Sequence, residues 1–340
     1  MAYSTINKYS DHINTKLFTG NASADNAITG VGFQPDWVWL KDRVGTNNHS
    51  LYDFVRGVTK ALRTSTNGAE TTTSGVTAFG ADGFTVGDNA MGNAANAMVA
   101  WCWKAANGAG SSNTDGSITS TVSANTTSGF SIVSYTGTAS TATVGHGLGV
   151  APKMIIVKNL SSSENWGVWH TNLGEDEYLG LNQTNAQATN SAIWNSTYPT
   201  NSVFSIGNNA RTGSSADFIA YCFAEVAGYS KMGEYRGNET SDNAFVYTGF
   251  KSSFILIKNY GAIDNWMLFD NKREGYNVDN DALHPNLNDA EQTDNEIDIL
   301  SNGFKIRNSN QETGHNGHKY LYMAFGQPII SNSGVCATAR

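Results

Sequence analysis

Short apolar runs bounded by Gly, Asn, Asp or Pro recur along the chain, and they recur in the same order three times. Each series opens on an aromatic-Thr/Arg-Gly step, at Phe18-Thr19-Gly20, Tyr135-Thr136-Gly137 and Tyr235-Arg236-Gly237. An apolar run ending in lysine follows: Trp37-Val38-Trp39-Leu40-Lys41, Met154-Ile155-Ile156-Val157-Lys158 and Phe254-Ile255-Leu256-Ile257-Lys258. Next come Gly83-Phe84-Thr85-Val86, Val203-Phe204-Ser205-Ile206 and Gly303-Phe304-Lys305-Ile306, and then the closing runs Ala100-Trp101-Cys102-Trp103, Ala220-Tyr221-Cys222-Phe223 and Tyr322-Met323-Ala324-Phe325. The lysines lie 117 and 100 residues apart and Phe84, Phe204 and Phe304 lie 120 and 100 apart. Two landmarks with nearly the same spacing point to internal duplication, and an array of copies points to binding or building before catalysis.

Runs this short, rich in β-branched and aromatic residues and punctuated by turn formers, predict strands. The expected fold is all-β, three tandem β-sandwich-like repeat modules. The predicted layout is an N-terminal segment 1–15, modules at 16–104, 129–226 and 227–329, a polar linker 105–128, and a C-terminal tail 330–340. Within the linker the small polar stretch 105–116 reads as a flexible or extended connector, and Ile118 to Thr127 alternates weakly enough to add one edge strand. The short, apolar join at 225–231 predicts that the second and third modules pack together. Apolar residues at successive positions before each lysine imply central strands covered on both faces; the lysine itself reads as a strand leaving the core. Asp82-Gly83 and Asn302-Gly303 predict hairpin turns. Helix is expected to be scarce, with Asp289-Ala290-Glu291-Gln292 as a single turn.

Charged residues make up 15% of the chain, against about 25% in ordinary soluble domains. The surface is therefore polar without being ionic. A formal net charge of −8 and the lack of clustered Lys and Arg argue against a nucleic-acid partner or an anionic membrane. The apolar runs fall far short of the roughly 20 residues of a membrane helix, and the first residues lack the pattern of a secretory signal. Three cysteines make no disulfide framework. Cys102 and Cys222 occupy matching places and read as small buried residues of two separate cores, and Cys336 as a free thiol in the tail.

Several long runs, among them Val144-Gly145-His146-Gly147-Leu148-Gly149-Val150-Ala151-Pro152-Lys153-Met154, Ala220-Tyr221-Cys222-Phe223-Ala224-Glu225-Val226 and Leu300-Ser301-Asn302-Gly303-Phe304-Lys305-Ile306-Arg307, resemble virion-associated repeat proteins of marine tailed bacteriophages. The resemblance covers all three series. It implies a non-enzymatic phage structural protein, tail-fibre-like, made in the bacterial host cytoplasm and carried in the virion. The expected partners are other virion proteins, further copies of the chain (a trimer would suit a fibre), and glycan on the host surface. A capsid or tail decoration protein is the alternative, and a polysaccharide depolymerase comes third.

Candidate chemistry is sparse. A glycan-cleaving pair would need two carboxylates about 5–10 Å apart, and the candidates are Glu175, Asp176, Glu177, Asp53, Asp270 and Glu291. Where Asp53 and Asp270 stand in two series, the third has His170, which suits a polar strand end better than a required acid. His315 and His318 lack further ligands at metal-binding spacing, and Asp279-Asn280-Asp281 lacks the rest of a calcium loop. No catalytic residue, metal or cofactor is assigned. Aromatics inside the recurring pattern read as core. Those outside it, Tyr178, Trp194, Tyr198, Tyr260 and Tyr276, stand in Asn-rich loops and are the candidates for ligand binding or subunit contact.

Overall fold

In the computed structural model, which describes residues 4–274, 277 and 279–330, the three lysine-ended runs are inner strands of three sheets. These strands, Trp37–Asp42, Met154–Asn159 and Phe250–Asn259, each pair on one side with a closing strand, Ala97–Trp103, Asp217–Phe223 or Lys319–Pro328. On the other side they pair with Ser50–Asp53, Gly167–His170 or Trp266–Asp270. The closing strands pair outward with Ile13–Thr19, Phe130–Thr136 and Ser230–Arg236. All these pairings are antiparallel and their registers correspond: Lys41 lies opposite Val99, Lys158 opposite Ile219, and Lys258 opposite Leu321. The chain is all-β.

Alternation along the inner strands sends side chains to two different cores. Trp37, Trp39, Met154, Ile156, Phe254 and Leu256 join one central cluster drawn from all three sheets, with Trp101, Trp103, Tyr221, Phe223, Met323 and Phe325 from the closing strands. Its rings meet across every seam: Trp37 and Tyr221 at 4.7 Å, Phe223 and Phe325 at 6.0 Å, Trp103 and Phe254 at 5.0 Å. The intervening residues face three peripheral cores, each under an outer sheet of two to four strands. Val38 and Leu40 face one, Ile155 and Val157 the second, Ile255 and Ile257 the third. Cys102 and Cys222 lie in two of these peripheral cores, as expected.

The lysines do not leave the core. Lys41, Lys158 and Lys258 are fully buried, because each continues the alternation that faces the central cluster and meets a neighbouring sheet there. Lys158 Nζ donates to the carbonyls of Asn159 (2.8 Å) and Glu164 (2.9 Å) in its own turn and to Asn67 (3.2 Å) in a loop of the first sheet. Lys258 Nζ reaches Asp264 in its own turn (2.7 Å) and Thr184 beyond the second sheet (3.0 Å). Lys41 Nζ reaches Asp42, Gly45 and then Asn288 beyond the third (3.3 Å). Three residues past each accepted carbonyl, a backbone N–H returns to the lysine's own turn: Glu70 to Leu160 O, Gln187 to Tyr260 O, and Glu291 to Arg43 O. First sheet to second, second to third and third to first, the contacts close a cycle. Burial pushes each lysine down to about 8, so the ammonium form still prevails at neutral pH.

A second set of polar contacts crosses the same seams. Asp53 accepts from Tyr221 Oη (2.8 Å) and pairs with Arg56, which also reaches Glu70 (3.0 Å). Asp270 accepts from Trp101 Nε1 (2.9 Å) and pairs with Arg273, which also reaches Glu291 (2.9 Å). At the remaining seam the aromatic donor is replaced by Met323, which has no proton to give. There the acid, base and acid become His170, Leu173 and Gln187. His170 Nε2 donates to the Tyr322 carbonyl (3.1 Å) while Nδ1 accepts from Asn172 N (3.2 Å), an arrangement that requires the neutral ring.

Burial accordingly pushes His170 down to about 4, against the opposing pull of the Tyr322 carbonyl. A histidine whose folded pKa lies below its ordinary 6.5 contributes stability that is complete above that value and lost as pH falls toward 4. The share is about 3 kcal/mol. Denaturant unfolding between pH 7 and 4 should therefore show a fall in stability that becomes shallower in His170→Gln. An unchanged slope would remove His170 as its source.

Other expectations need correction. The strand read within 118–127 forms, as an inner strand and not an edge, but the stretch 105–116 is not a free connector. The buried Asp36 carboxylate accepts from Ala105, Asn107 and Gly108 N–H, which fixes its first turn. Ser111–Asn113 and Ser120–Asn125 then extend the second sheet to six strands, with Ser120 and Val122 turned inward. In the N-terminal segment Ile6 joins the central cluster, and Gln327 binds both Tyr9 N and Asn7 O. Residues 289–291 form no helical turn, because Glu291 is held by backbone and side chain against Arg43. Among the described residues the α-helical turns are Ala90–Asn93 and Ser191–Trp194, each capped by an asparagine side chain, Asn89 or Asn190, and Tyr9–Asp11 forms a 3-10 turn. The Ala81-Asp82 and Ser301-Asn302 hairpin turns are where expected.

Candidate functional site

The three peripheral layers are where the sheets differ. The first outer sheet has three strands and the third has four, closed by Val76–Gly80 and Gln292–Leu300 beside their Phe strands. The second has Ala142–Gly145 paired with Val203–Ile206, and its cover is completed by the Ser191–Trp194 turn and the loop 195–202. Asn195 and Ser196 both adopt left-handed backbone, with φ of 53° and 47°. This ends the helical turn sharply and carries the chain back over the sheet. Ser196 Oγ donates to Asp176 Oδ1 (2.6 Å), and His146 Nε2 to the Thr200 carbonyl (3.2 Å), holding the loop down at both ends.

Three of the aromatics singled out from the sequence gather here. Tyr198 is 52% exposed at the loop tip and meets Trp169 edge-on at 6.2 Å. Trp194 lies beneath, buried in the peripheral core, and half-buried Tyr178 packs against the same core under the guanidinium of Arg211 at 4.9 Å. Tyr260 is elsewhere: it opens the loop after Phe250–Asn259, but it is not exposed. It is buried at the seam of the second and third sheets, with its hydroxyl on Glu234 (2.5 Å). Tyr276 lies outside the described residues, as do Cys336 and the rest of the tail from 331.

Trp169, read from the sequence as core, belongs to this site as well. A shallow depression lies between Trp169, Trp194, Thr197, Pro199, Phe204, Ser205 and Ile155, too tight for a water molecule. Trp169 Nε1 and Trp194 Nε1 are both buried without an acceptor, and an unpaired buried donor costs about 1–3 kcal/mol. The other tryptophans without an acceptor, Trp37 and Trp103, sit in the central cluster.

A second exposed aromatic pair was not expected. Phe245 and Tyr247 alternate with buried Val246 on the edge strand of the third outer sheet and are 48% and 54% exposed. Lys231 Nζ stands 5.6 Å from the Tyr247 ring and donates to its carbonyl. The signal was available: in register terms the matching outward residues of the other two sheets are Ala27 and Thr29, and Thr143 and Gly145.

The carboxylates are absorbed in structural contacts. Asp53, Asp270 and Glu291 hold arginines at the seams, with burial acting against Asp270 but Arg273 keeping its carboxyl below the usual range. Glu177 accepts from Gly174 N and Gln187 Nε2, Asp176 holds Ser196, and Glu175 is exposed. His315 and His318 stack at 4.4 Å, and His318 Nδ1 meets Asn259 Nδ2. Among the described residues no cluster of three His, Cys, Asp or Glu could hold a metal ion, and no helix is long and apolar enough to cross a membrane. A recess of about 480 Å³ beside Thr5 has one carboxylate in its lining, Glu225, which is engaged by Met232 N.

What these features define is an all-β protein with a closed central core and aromatic groups on its periphery. The chain belongs to the family described as a domain of unknown function, DUF7483, which matches residues 8–328 and so takes in all three sheets. No curated protein and no solved structure matches it.

Proposed function

We propose that the chain is a non-enzymatic structural protein of a phage virion, a tail-fibre or adhesion component that touches host-surface glycan through its peripheral layers. Three diverged copies of one folding unit make up its body in this reading, supported by the recurring strand order and by registers that align Lys41, Lys158 and Lys258. The observation that carries it is the division of labour in the fold. The buried cycle of lysines commits the inner faces to mutual packing, and the outer layers are left to vary, the second exposing Tyr198 at its loop tip. Flat rings beside Asn, Thr and Ser suit sugars, and several weak contacts on one particle multiply into firm attachment. The resemblance to phage virion-associated repeat proteins supports the same reading.

Labelled protein should stain susceptible host cells and compete with infection; failure to bind any susceptible strain would remove the adhesive role. The paired Phe245 and Tyr247 on an edge strand favour the decoration reading instead, since a flat apolar strip suits a protein partner. Gel densitometry of purified particles separates the two. A decoration protein is expected at high copy number, a fibre component at low.

A further inference from the structure

Among the described residues the second outer sheet is the smallest of the three, with two strands, and the loop 195–202 extends its cover over Trp169 and Trp194, whose indole N–H groups have no acceptor. Trp37 and Trp103 are sealed under three sheets, whereas Trp169 and Trp194 lie one layer from solvent under Tyr198 and Pro199. A molecule satisfying both indoles must bring two acceptor oxygens and an apolar face to lie on the rings. A pyranose does both, through its hydroxyl or ring oxygens and its C–H face. The lining residues of the depression are all uncharged, which selects an uncharged sugar, because a carboxylate or sulfate would lose its hydration there without a counter-charge.

We propose that the depression is a sugar subsite for an uncharged pyranose unit of a surface polysaccharide, covered in the free protein by the loop 195–202. The loop swings about the left-handed Asn195 and Ser196, giving up the Ser196–Asp176 and His146–Thr200 hydrogen bonds. The vacated space lets sugar oxygens accept from Trp169 Nε1 and Trp194 Nε1, while Tyr198, released from Trp169, stacks on the outer edge of the sugar. This rests on the adhesive reading for its biological setting but not for its test.

The eight tryptophans give separate indole N–H signals in a ¹⁵N-labelled sample. Titration with dextran, mannan, galactan and polysaccharide extracted from a susceptible host should shift the Trp169 and Trp194 signals with at least one of them and leave Trp37 and Trp103 in place. Trp169→Phe and Trp194→Phe keep a ring and lose the donor, and each should weaken binding about tenfold; this corresponds to one hydrogen bond of about 1.4 kcal/mol. Tyr198→Ala, at an exposed position, should also weaken it and carries the test with Trp169→Phe if Trp194→Phe does not fold. No shift of these two indoles with any of the four polysaccharides, or unchanged affinity in the variants, overturns the subsite. Cells stained equally by the Trp169→Phe protein would overturn the subsite and leave adhesion standing. Unstained cells alongside a sugar-induced shift would do the reverse.

Discussion

Replacing Arg56 by leucine is expected to destabilise the protein by about 3–5 kcal/mol, the usual cost of leaving one partner of a buried ion pair alone. The cause is local. Arg56 is 3% exposed and Asp53 is wholly buried; burial works against the arginine's charge, and Asp53, Tyr221 and Glu70 more than offset it. Without the guanidinium, Asp53 keeps only the Tyr221 hydroxyl and nearby backbone N–H groups. The chain itself contains the remedy, because the seam between the second and third sheets does without these charges. Asp53→His, Arg56→Leu, Glu70→Gln and Tyr221→Met together copy His170, Leu173, Gln187 and Met323. Although that set is larger than the single change, it should recover at least half of the lost stability, since it leaves no buried charge unpaired. Denaturant unfolding of both variants reads the difference. A single variant within about 1 kcal/mol of the parent would mean that water reaches Asp53 and that the pair stabilises little.

Lys158→Met is expected to cost roughly 2–4 kcal/mol. Methionine fills the same space but leaves the carbonyls of Asn67, Asn159 and Glu164 without their donor, at about 1–3 kcal/mol each. Removing a buried ammonium gives back part of this, on the order of 3 kcal/mol for a group moved from its ordinary 10.5 to about 8. The carbonyls win because there are three of them. Hydrogen exchange locates the effect: the Glu70 amide, bonded to Leu160 O across the same seam, should exchange faster, while that of Gln187 at the next seam keeps its protection. Equal acceleration of both would show that the seams open together and not one at a time.

Much of this architecture was legible in the residues. The strands, the hairpin turns and the aromatic closing runs follow from apolar periodicity and from Asp-Gly and Asn-Gly steps, which act locally. Lys41, Lys158 and Lys258 were misjudged because a lysine after an apolar run ordinarily marks the surface. Only the register of a neighbouring sheet reveals that the alternation continues into a shared core lined with carbonyls. Asp53, His170 and Asp270 do end their strands, as read; their burial at the seams, and the place of Met323 where the other seams have an aromatic donor, depend on how the sheets pack. Within 105–128 the weak alternation from Ile118 disclosed one strand, whereas Ser111–Asn113 has no apolar residue and takes its order from pairing with Ser120–Asn125. At the candidate site Tyr198 was readable from its position in an Asn- and Thr-rich loop. Trp194 was misplaced because the Asn190 cap that starts its helical turn tucks the ring inward, and Trp169 was assigned to core, where it also belongs.

The seam between the third and first sheets joins residues 248 positions apart, as in Arg43 with Glu291, and this has a consequence on the ribosome. Trp101 and Trp103 are translated well before Phe254 and Phe325, against which they pack; at least 151 residues separate them. Until the third sheet is made, the nascent chain holds indole rings without that cover, a situation that invites aggregation. Contacts of such long separation also make for slow folding. A product cut after the second sheet would lack the third and, with it, the rings that pack over the first sheet's tryptophans.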